Sequence, residues 1–304
     1  MIALAELLRK LLRKLVMNIF IPLWVCYHLL LNFSTLLYNN TIKSEPIMTL
    51  QDVAMHQYAS TKFTDTGSEP AFDEVMVEKT ITLYLNGNRL TSIVTTPGFG
   101  KELAVGFLIT EGLIRSLKDL EEIREMDDRV ELRAGIAQDS ELEYELRSSG
   151  GLGLRRSICD AEVFVPVAQN FSIGVLLASL KYLDDETQKK TGGAHTATLV
   201  GADGTLRYKA VDIGRHNAVD KVVGQAVLHG DDLSRMFLIS SGRQPAGMVM
   251  KAARAGIPLI ISKAAPISSG IDCARQTNVT LCCYATREKT KAFSSPDRII
   301  IGSP

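Results

Sequence analysis

The stretch MFLISSGRQPAGMVMKAARAGIPLIIS, residues 236–262, decides the fold class of this chain. Residues 236–239 are an uninterrupted apolar run of the kind a fully buried strand carries. Residues 245–255 read as a helix with proline at its start and Gly256 at its end, and residues 258–261 form a second apolar run. Strand, helix and strand at these lengths make a βαβ unit. A helix near 270–276 and a strand over 280–284 extend the alternation, which implies parallel strands joined by right-handed crossovers. The expected class is α/β.

Working upstream, Leu206, Tyr208 and Ala210 alternate as a strand does. They lead into DIGRHNAVDKVVG, in which Val219, Val222, Val223, Ala226 and Val227 fall on one helical face. A charged cluster therefore sits where a helix begins. Ser172 is a candidate N-cap for a helix carrying Val175, Leu176, Ser179, Leu180 and Leu183, which ends before Thr191. Nearer the amino terminus, Ile81, Leu83 and Leu85, the turn Asn86-Gly87, and Leu90, Ser92 and Val94 spell a β-hairpin. Leu103, Ala104, Phe107 and Leu108 recur at helical spacing, with Gly112 as the stop. Val130 and Leu132, then Leu142, Tyr144 and Leu146, suggest a second strand pair. Residues 148–153 form a small-residue loop that closes this region.

Composition narrows the function. Thirty-four lysines and arginines balance 34 aspartates and glutamates, so the charge signature of a general nucleic-acid binder is absent. The five cysteines, Cys26, Cys159, Cys273, Cys282 and Cys283, make no CxxC pair and no disulfide framework, which fits a reducing compartment. The first 47 residues differ from the rest: Arg9, Lys10, Arg13 and Lys14 precede an apolar run over 15–37 that is long enough to span a bilayer. Asn18, Pro22, His28 and Asn32 interrupt that run. As an anchor it would send the downstream domain out of the cytoplasm. The alternative, a true start at Met48, suits the cytoplasmic chemistry below.

Ligands of open parallel sheets bind beyond the carboxyl ends of the strands. Those ends run here into Ser240-Ser241-Gly242-Arg243, Ser262-Lys263 and Thr286-Arg287-Glu288-Lys289. Glycine lets a backbone approach closely, and arginine grips phosphate with two hydrogen bonds. Three cation-bearing edges side by side suit a phosphate-bearing ligand better than solvated surface charge. His195 in Thr191-Gly192-Gly193-Ala194-His195, read alone, is a hydrogen-bonded structural residue. Arg215 and His216 stand at a helix start where an anion is favoured, with a turn role nearly as good an explanation. A zinc nucleobase deaminase is excluded, because Thr196-Ala197 follows His195 where a glutamate is needed and no PCxxC exists. No metal site is expected.

TGGAHTA (191–197), VDIGRHNAVDKVVG (211–224), SGRQPAGMVMKAARAGIPLIISKAAP (241–266) and TPGFGKELAVGFLITEGLI (96–114) together closely resemble the FdhD family, with nearly all of 73–300 covered. The resemblance implies a cytidine deaminase-like layered α/β domain over 166–304, without its zinc. Before it would come a smaller amino-terminal α+β domain over 73–165 carrying a substrate loop at 148–160, a linker over 48–72 and the apolar extension 1–47. It further implies a cytoplasmic homodimer and an accessory protein of formate dehydrogenase. Such a protein takes sulfur from a cysteine desulfurase as a cysteine persulfide and passes it to the molybdenum cofactor, Mo-bis(molybdopterin guanine dinucleotide). Tyr284, Ala285, Thr286, Arg287, Glu288 and Lys289 match the family's cofactor-binding stretch, with Thr286 where arginine is usual. One departure bears on mechanism. The family's loop has the form SSCGxCG, whereas Ser148-Ser149-Gly150-Gly151-Leu152-Gly153 puts Gly150 and Gly153 where its cysteines stand. Glycine forms no persulfide. Cys159 is the candidate replacement thiol, and a cofactor-binding chaperone without persulfide chemistry is the alternative function. Cys282 and Cys283, adjacent on a strand, should face opposite sides of a core.

Overall fold

The computed structural model describes residues 55–135 and 162–302, together with the backbone of two short strands within 143–155. The apolar run at 15–37 lies outside the described residues, and no helix among them is long and apolar enough to cross a membrane. Strands β1 (Met55–Thr64) and β2 (Gly67–Met76) form an antiparallel ribbon. The linker expected over 48–72 is thus a hairpin from Met55 onward. Its apolar alternation is diluted because nearly all of the ribbon is exposed. Met55, Ala59, Phe63, Pro70, Phe72 and Met76 share one face, and the other carries a Ser60–Asp73 hydrogen bond and a Lys62–Glu69 ion pair.

Strands β3 (Lys79–Leu85) and β4 (Asn88–Thr95) make the expected hairpin, turning at Asn86 and Gly87, both at positive φ. Helix α1 (Gly100–Thr110) follows, and Gly112 at φ 71° marks its end as expected. Strands β5 (Leu120–Glu125) and β6 (Arg129–Ala134) complete a four-stranded sheet of order β4-β3-β6-β5. This corrects the expected pairing of 130–132 with 142–146. The charged segment LEEIRE hides a strand, so β6 lies between β3 and β5, while β7 (Glu143–Leu146) pairs with β8 (Leu152–Arg155). Leu152 and Gly153, read as loop, already belong to β8.

The carboxyl-terminal part contains β9 (Phe171–Ser172), α2 (Ile173–Ser179), α3 (Glu186–Thr191), β10 (His195–Gly201), β11 (Leu206–Asp212), α4 (Arg215–His229) and β12 (Met236–Ser240). After these come α5 (Ala246–Arg254), β13 (Leu259–Ser262), α6 (Ser268–Gln276), β14 (Thr280–Cys283), β15 (Lys291–Ser294) and β16 (Ile299–Ile300). Six of the strands form one sheet, β11-β10-β12-β13-β14-β15, parallel through β12, β13 and β14 and antiparallel at both margins. The α/β class read from 236–284 holds. The single helix expected over 172–191 breaks into α2, a 3₁₀ turn at Leu180–Leu183, and α3. Ser172 makes no side-chain cap and donates to the Gly302 carbonyl instead.

Alternating strand residues serve two cores. Leu199, Leu238, Ile260, Leu281 and Cys283 face α1, α4, α5 and α6, whereas Val200, Ile239, Ile261 and Cys282 face Phe171, Leu176 and Leu180. The larger core also contains Leu83, Leu103, Leu108, Val130 and Leu132, so apolar packing runs without a break across the boundary expected at 165/166. Buried Arg298 stitches the same place, donating to the carbonyls of Val165, Pro166 and Asn278.

The central joint is the crossing of α1 with α4. A Cβ on Gly106 would collide with the Asp220 carbonyl, and one on Gly224 with the Glu102 carbonyl. Reciprocal glycines therefore let the two backbones touch. Charges fill the space beside them. Lys251 on α5 donates to Glu111 (2.7 Å), Asp220 (2.7 and 2.9 Å) and Thr110 (2.8 Å). Lys221 pairs with Asp212 at 2.7 Å and donates to the Thr96 carbonyl.

Candidate functional site

The carboxyl ends of β12, β13 and β14 lie side by side, and because β10 and β11 are antiparallel in sequence, the start of β10 and the end of β11 reach the same edge. His195 opens β10 opposite Asp212. Ser241 follows β12, and its Oγ lies 3.4 Å from His195 Nδ1 while accepting from the Thr196 N–H at 2.9 Å. Partial burial, with the positive charges of Arg215 and Arg243, pushes the His195 imidazole below its ordinary range against the opposing pull of Asp212. At neutral pH His195 is therefore an uncharged hydrogen-bonding group in a positive field.

Gly242 makes room for a close crossing here. The Arg215 side chain crosses so closely that a Cβ on Gly242 would stand 3.0 Å from its Cβ and Cδ. Arg215 is buried, Arg243 is exposed, and the His216 ring lies against Gly247 in the first turn of α5. Asp212 anchors the start of α4. Fully buried, it accepts from Thr95 Oγ1, Thr96 N, Gly214 N and Asn217 Nδ2 as well as pairing with Lys221. The TTPGFG segment and the DIGRHN segment are thereby held together.

Hydrogen bonds carry the edge onward. Ser262 Oγ donates to the Gly242 carbonyl (2.8 Å), Ala285 N to the Ser262 carbonyl (3.0 Å) and Tyr284 N to the Ala264 carbonyl (3.1 Å). Tyr284, at φ 55°, turns the chain out of the sheet, half exposed, with Lys291 Nζ 5.7 Å from its ring centroid. Ala285 is buried, whereas Thr286, Arg287, Glu288 and Lys289 are exposed. Thr286 Oγ1 accepts from the N–H groups of Glu288 and Lys289, so it shapes this turn.

The structure thus brings His195, Arg215, Ser241, Gly242 and Arg243 together, and Lys263, Tyr284 and Arg287 beside them. Cys159 and Gly150 lie outside the described residues, and Gly153 is paired with Glu145 in the β7–β8 hairpin. Sequence reasoning missed Asp184, which binds both Lys263 (3.2 Å) and Arg287 (3.0 Å). Partial burial raises its carboxyl, but the hydrogen bonds and charges of Lys263 and Arg287 outweigh that and hold it below the usual carboxylate range. It also missed Asp212, whose signal was its place two residues before Gly214. Cys282 and Cys283 face opposite cores as expected, and burial pushes both thiols up to about 12. Thiols so held are protonated and poor nucleophiles. A cleft lined by Tyr84, Asn86, Glu121, Arg124 and Arg133 on the four-stranded sheet includes none of these residues.

Fold and edge define an α/β protein whose strand ends gather cations around an uncharged histidine. Residues 76–300 match the FdhD/NarQ family, and the chain belongs to it. Among its relatives, the sulfur carrier protein FdhD of Anaeromyxobacter sp. (strain K) is 32% identical over 266 residues, covering 76% of this chain and 90% of that one. The sulfur carrier protein FdhD of Wolinella succinogenes is 33% identical over 238 residues, covering 75% and 82%. A crystal structure of a provisionally named formate dehydrogenase accessory protein from Desulfotalea psychrophila superposes with a TM-score of 0.71 at 25% identity, covering 81% of this chain and all of that one.

Proposed function

We propose that this chain is a cytoplasmic accessory protein of formate dehydrogenase that binds Mo-bis(molybdopterin guanine dinucleotide) as cargo, through its phosphates, at the carboxyl edge of the large sheet. The observation that carries this reading is that Arg215, Arg243, Lys263 and Arg287 all stand at the carboxyl edge of one sheet, with the Arg215 side chain laid over Gly242. Guanidinium groups and backbone N–H groups are the partners that phosphate oxygens take. Neutral His195, with Ser241, supplies hydrogen bonds that do not depend on charge.

In the sulfur-carrying form of this function, a thiolate attacks the terminal sulfur of a cysteine desulfurase persulfide. The donor's S–S bond breaks, the donor leaves as thiolate, and the carrier cysteine keeps the sulfur as a persulfide. Handing that sulfur on to the cofactor as sulfide takes two electrons. An external thiol supplies them by attacking the carrier's inner sulfur, breaking the S–S bond and ending in a disulfide with it. Cys159 is the thiol assigned as carrier, because Gly150 and Gly153 replace the loop cysteines. A second reading is a cofactor-holding chaperone without persulfide chemistry. It is favoured by the burial of Cys273, Cys282 and Cys283, which removes every described thiol from the reaction. Intact-mass spectrometry after incubation with a cysteine desulfurase and cysteine separates the two. A gain of about 32 Da, one sulfur on a reactive thiol, that disappears in Cys159→Ser establishes the carrier. No gain in either protein leaves the chaperone. Homodimerisation belongs to the same reading, and sedimentation of the full chain tests it.

A further inference from the structure

The two cations at the ends of β13 and β14 share one carboxylate, and that carboxylate is held in place on purpose-built supports. Asp184 N donates to the Lys181 carbonyl at 3.0 Å, and the Asp184 carbonyl accepts from Lys209 Nζ at 3.0 Å. Its neighbour Asp185 is pinned by the same Lys209 at 2.8 Å, with the lysine side chain 15% and the aspartate 4% exposed, and by the Thr187 N–H at 2.9 Å. The backbone at 184–185 therefore has little freedom, and the Asp184 side chain projects from it to Lys263 Nζ (3.2 Å) and Arg287 (3.0 Å). A carboxylate bridging two cations stands where one phosphate group would bridge them.

From this arrangement we infer that Asp184 is a built-in competitor for phosphate, an internal anion that sets the affinity and selectivity of the edge. The inference rests on the anion-binding reading given above. A single phosphate can only trade places with a carboxylate already there. A ligand with two linked phosphates can displace Asp184 from one cation while gripping another with its second group. The edge thereby prefers diphosphates to monophosphates, and the exposure of the pair, 44% for Lys263 and 74% for Arg287, keeps the displacement easy.

The test is calorimetric titration of the full chain with inorganic pyrophosphate and, separately, orthophosphate. The proteins compared are wild type, Asp184→Asn, and the double variant Lys263→Ala/Arg287→Ala with and without Asp184→Asn. Removing one negative charge a few ångströms from the bound anion, in a largely solvated setting, is expected to tighten pyrophosphate binding about five- to tenfold. Orthophosphate should gain more than pyrophosphate, so that the ratio of the two affinities narrows. The gain should vanish in the double-variant background and shrink as salt is raised. Unchanged or weaker binding by Asp184→Asn, with wild type still binding pyrophosphate, overturns the inference and leaves Asp184 as a positioning group only. Binding by neither protein removes the anion-site reading and the inference with it.

Discussion

Beside the crossing of α1 and α4, Lys221 meets Asp212 at 2.7 Å with neither side chain exposed, while at the strand edge Arg287 meets Asp184 at 3.0 Å with 74% of the arginine side chain open to water. The first kind of pair is surrounded by further donors, so that every charge is matched where water cannot help. The second kind stands in high dielectric, where an ion pair contributes at most about 1 kcal/mol. The contrast assigns different tasks to similar residues. Buried charges fix how the amino-terminal sheet and α4 meet, and exposed ones remain exchangeable for a ligand.

The sharpest way to break this contrast is Lys251→Met, which strips the cation from between Glu111 and Asp220. Leaving a buried charge uncompensated costs about 3–5 kcal/mol, and urea denaturation should show a loss of that size. Burial raises the Asp220 carboxyl above its ordinary 3.8 even with Lys251 present. The folded state therefore holds that proton more tightly than the unfolded chain does. Stability from this group is lost as pH rises from 3.8 through the folded value, and the variant should regain stability as pH falls through that window. A loss under about 1 kcal/mol, as surface pairs give, would put Lys251 in the exposed class.

Next in size is Gly224→Ala, which places a methyl against the Glu102 carbonyl at the crossing. Overpacking of this kind costs about 1–3 kcal/mol. An unchanged melting midpoint would mean that the helices separate freely and that the reciprocal glycines do not fix the joint.

What the sequence made legible follows the same division. The βαβ run at 236–262, the hairpin at Asn86-Gly87 and the faces of Cys282 and Cys283 depend on local periodicity, and all three appear in the structure. The strand-end rule located Ser241, Arg243, Lys263 and Arg287 because ends of strands are a local property too. Asp184 escaped, since it meets Lys263 across 79 positions and Arg287 across 103, from a loop that read as the middle of one helix. Lys251 and Glu111, 140 positions apart, were hidden for the same reason. Pairings between distant charges leave no periodic trace. The ribbon at 55–76 was missed differently, because a strand pair exposed on most of both faces lacks the burial that creates alternation.

Replacing Lys263 and Arg287 together with alanine should change stability by less than about 1 kcal/mol, as exposed pairs do. Pyrophosphate affinity should fall, measured by the same calorimetry. A stability loss of several kcal/mol in denaturant would show that the edge pairs are structural after all and erase the distinction between the two regions.

The smallest effect is expected at His195, which lies between the two regimes: half buried, yet beside exposed Arg243. Burial and the arginine charges hold its folded value below the ordinary 6.5. The unfolded chain therefore takes up a proton near 6.5 that the folded protein still refuses. Stability should be fully present above that pH and decline as pH falls through it, since the unfolded state then binds more protons. His195→Gln keeps a hydrogen-bonding group beside Ser241 and cannot titrate, so its stability curve should be flatter between neutral and mildly acid pH. Pyrophosphate changes the sign of the argument at the same residue. A bound anion favours the imidazolium, so wild-type affinity should rise on acidification more than that of His195→Gln. If both proteins respond identically in stability and in binding, His195 is not in the field of Arg215 and Arg243, and the edge is less positive than its geometry implies.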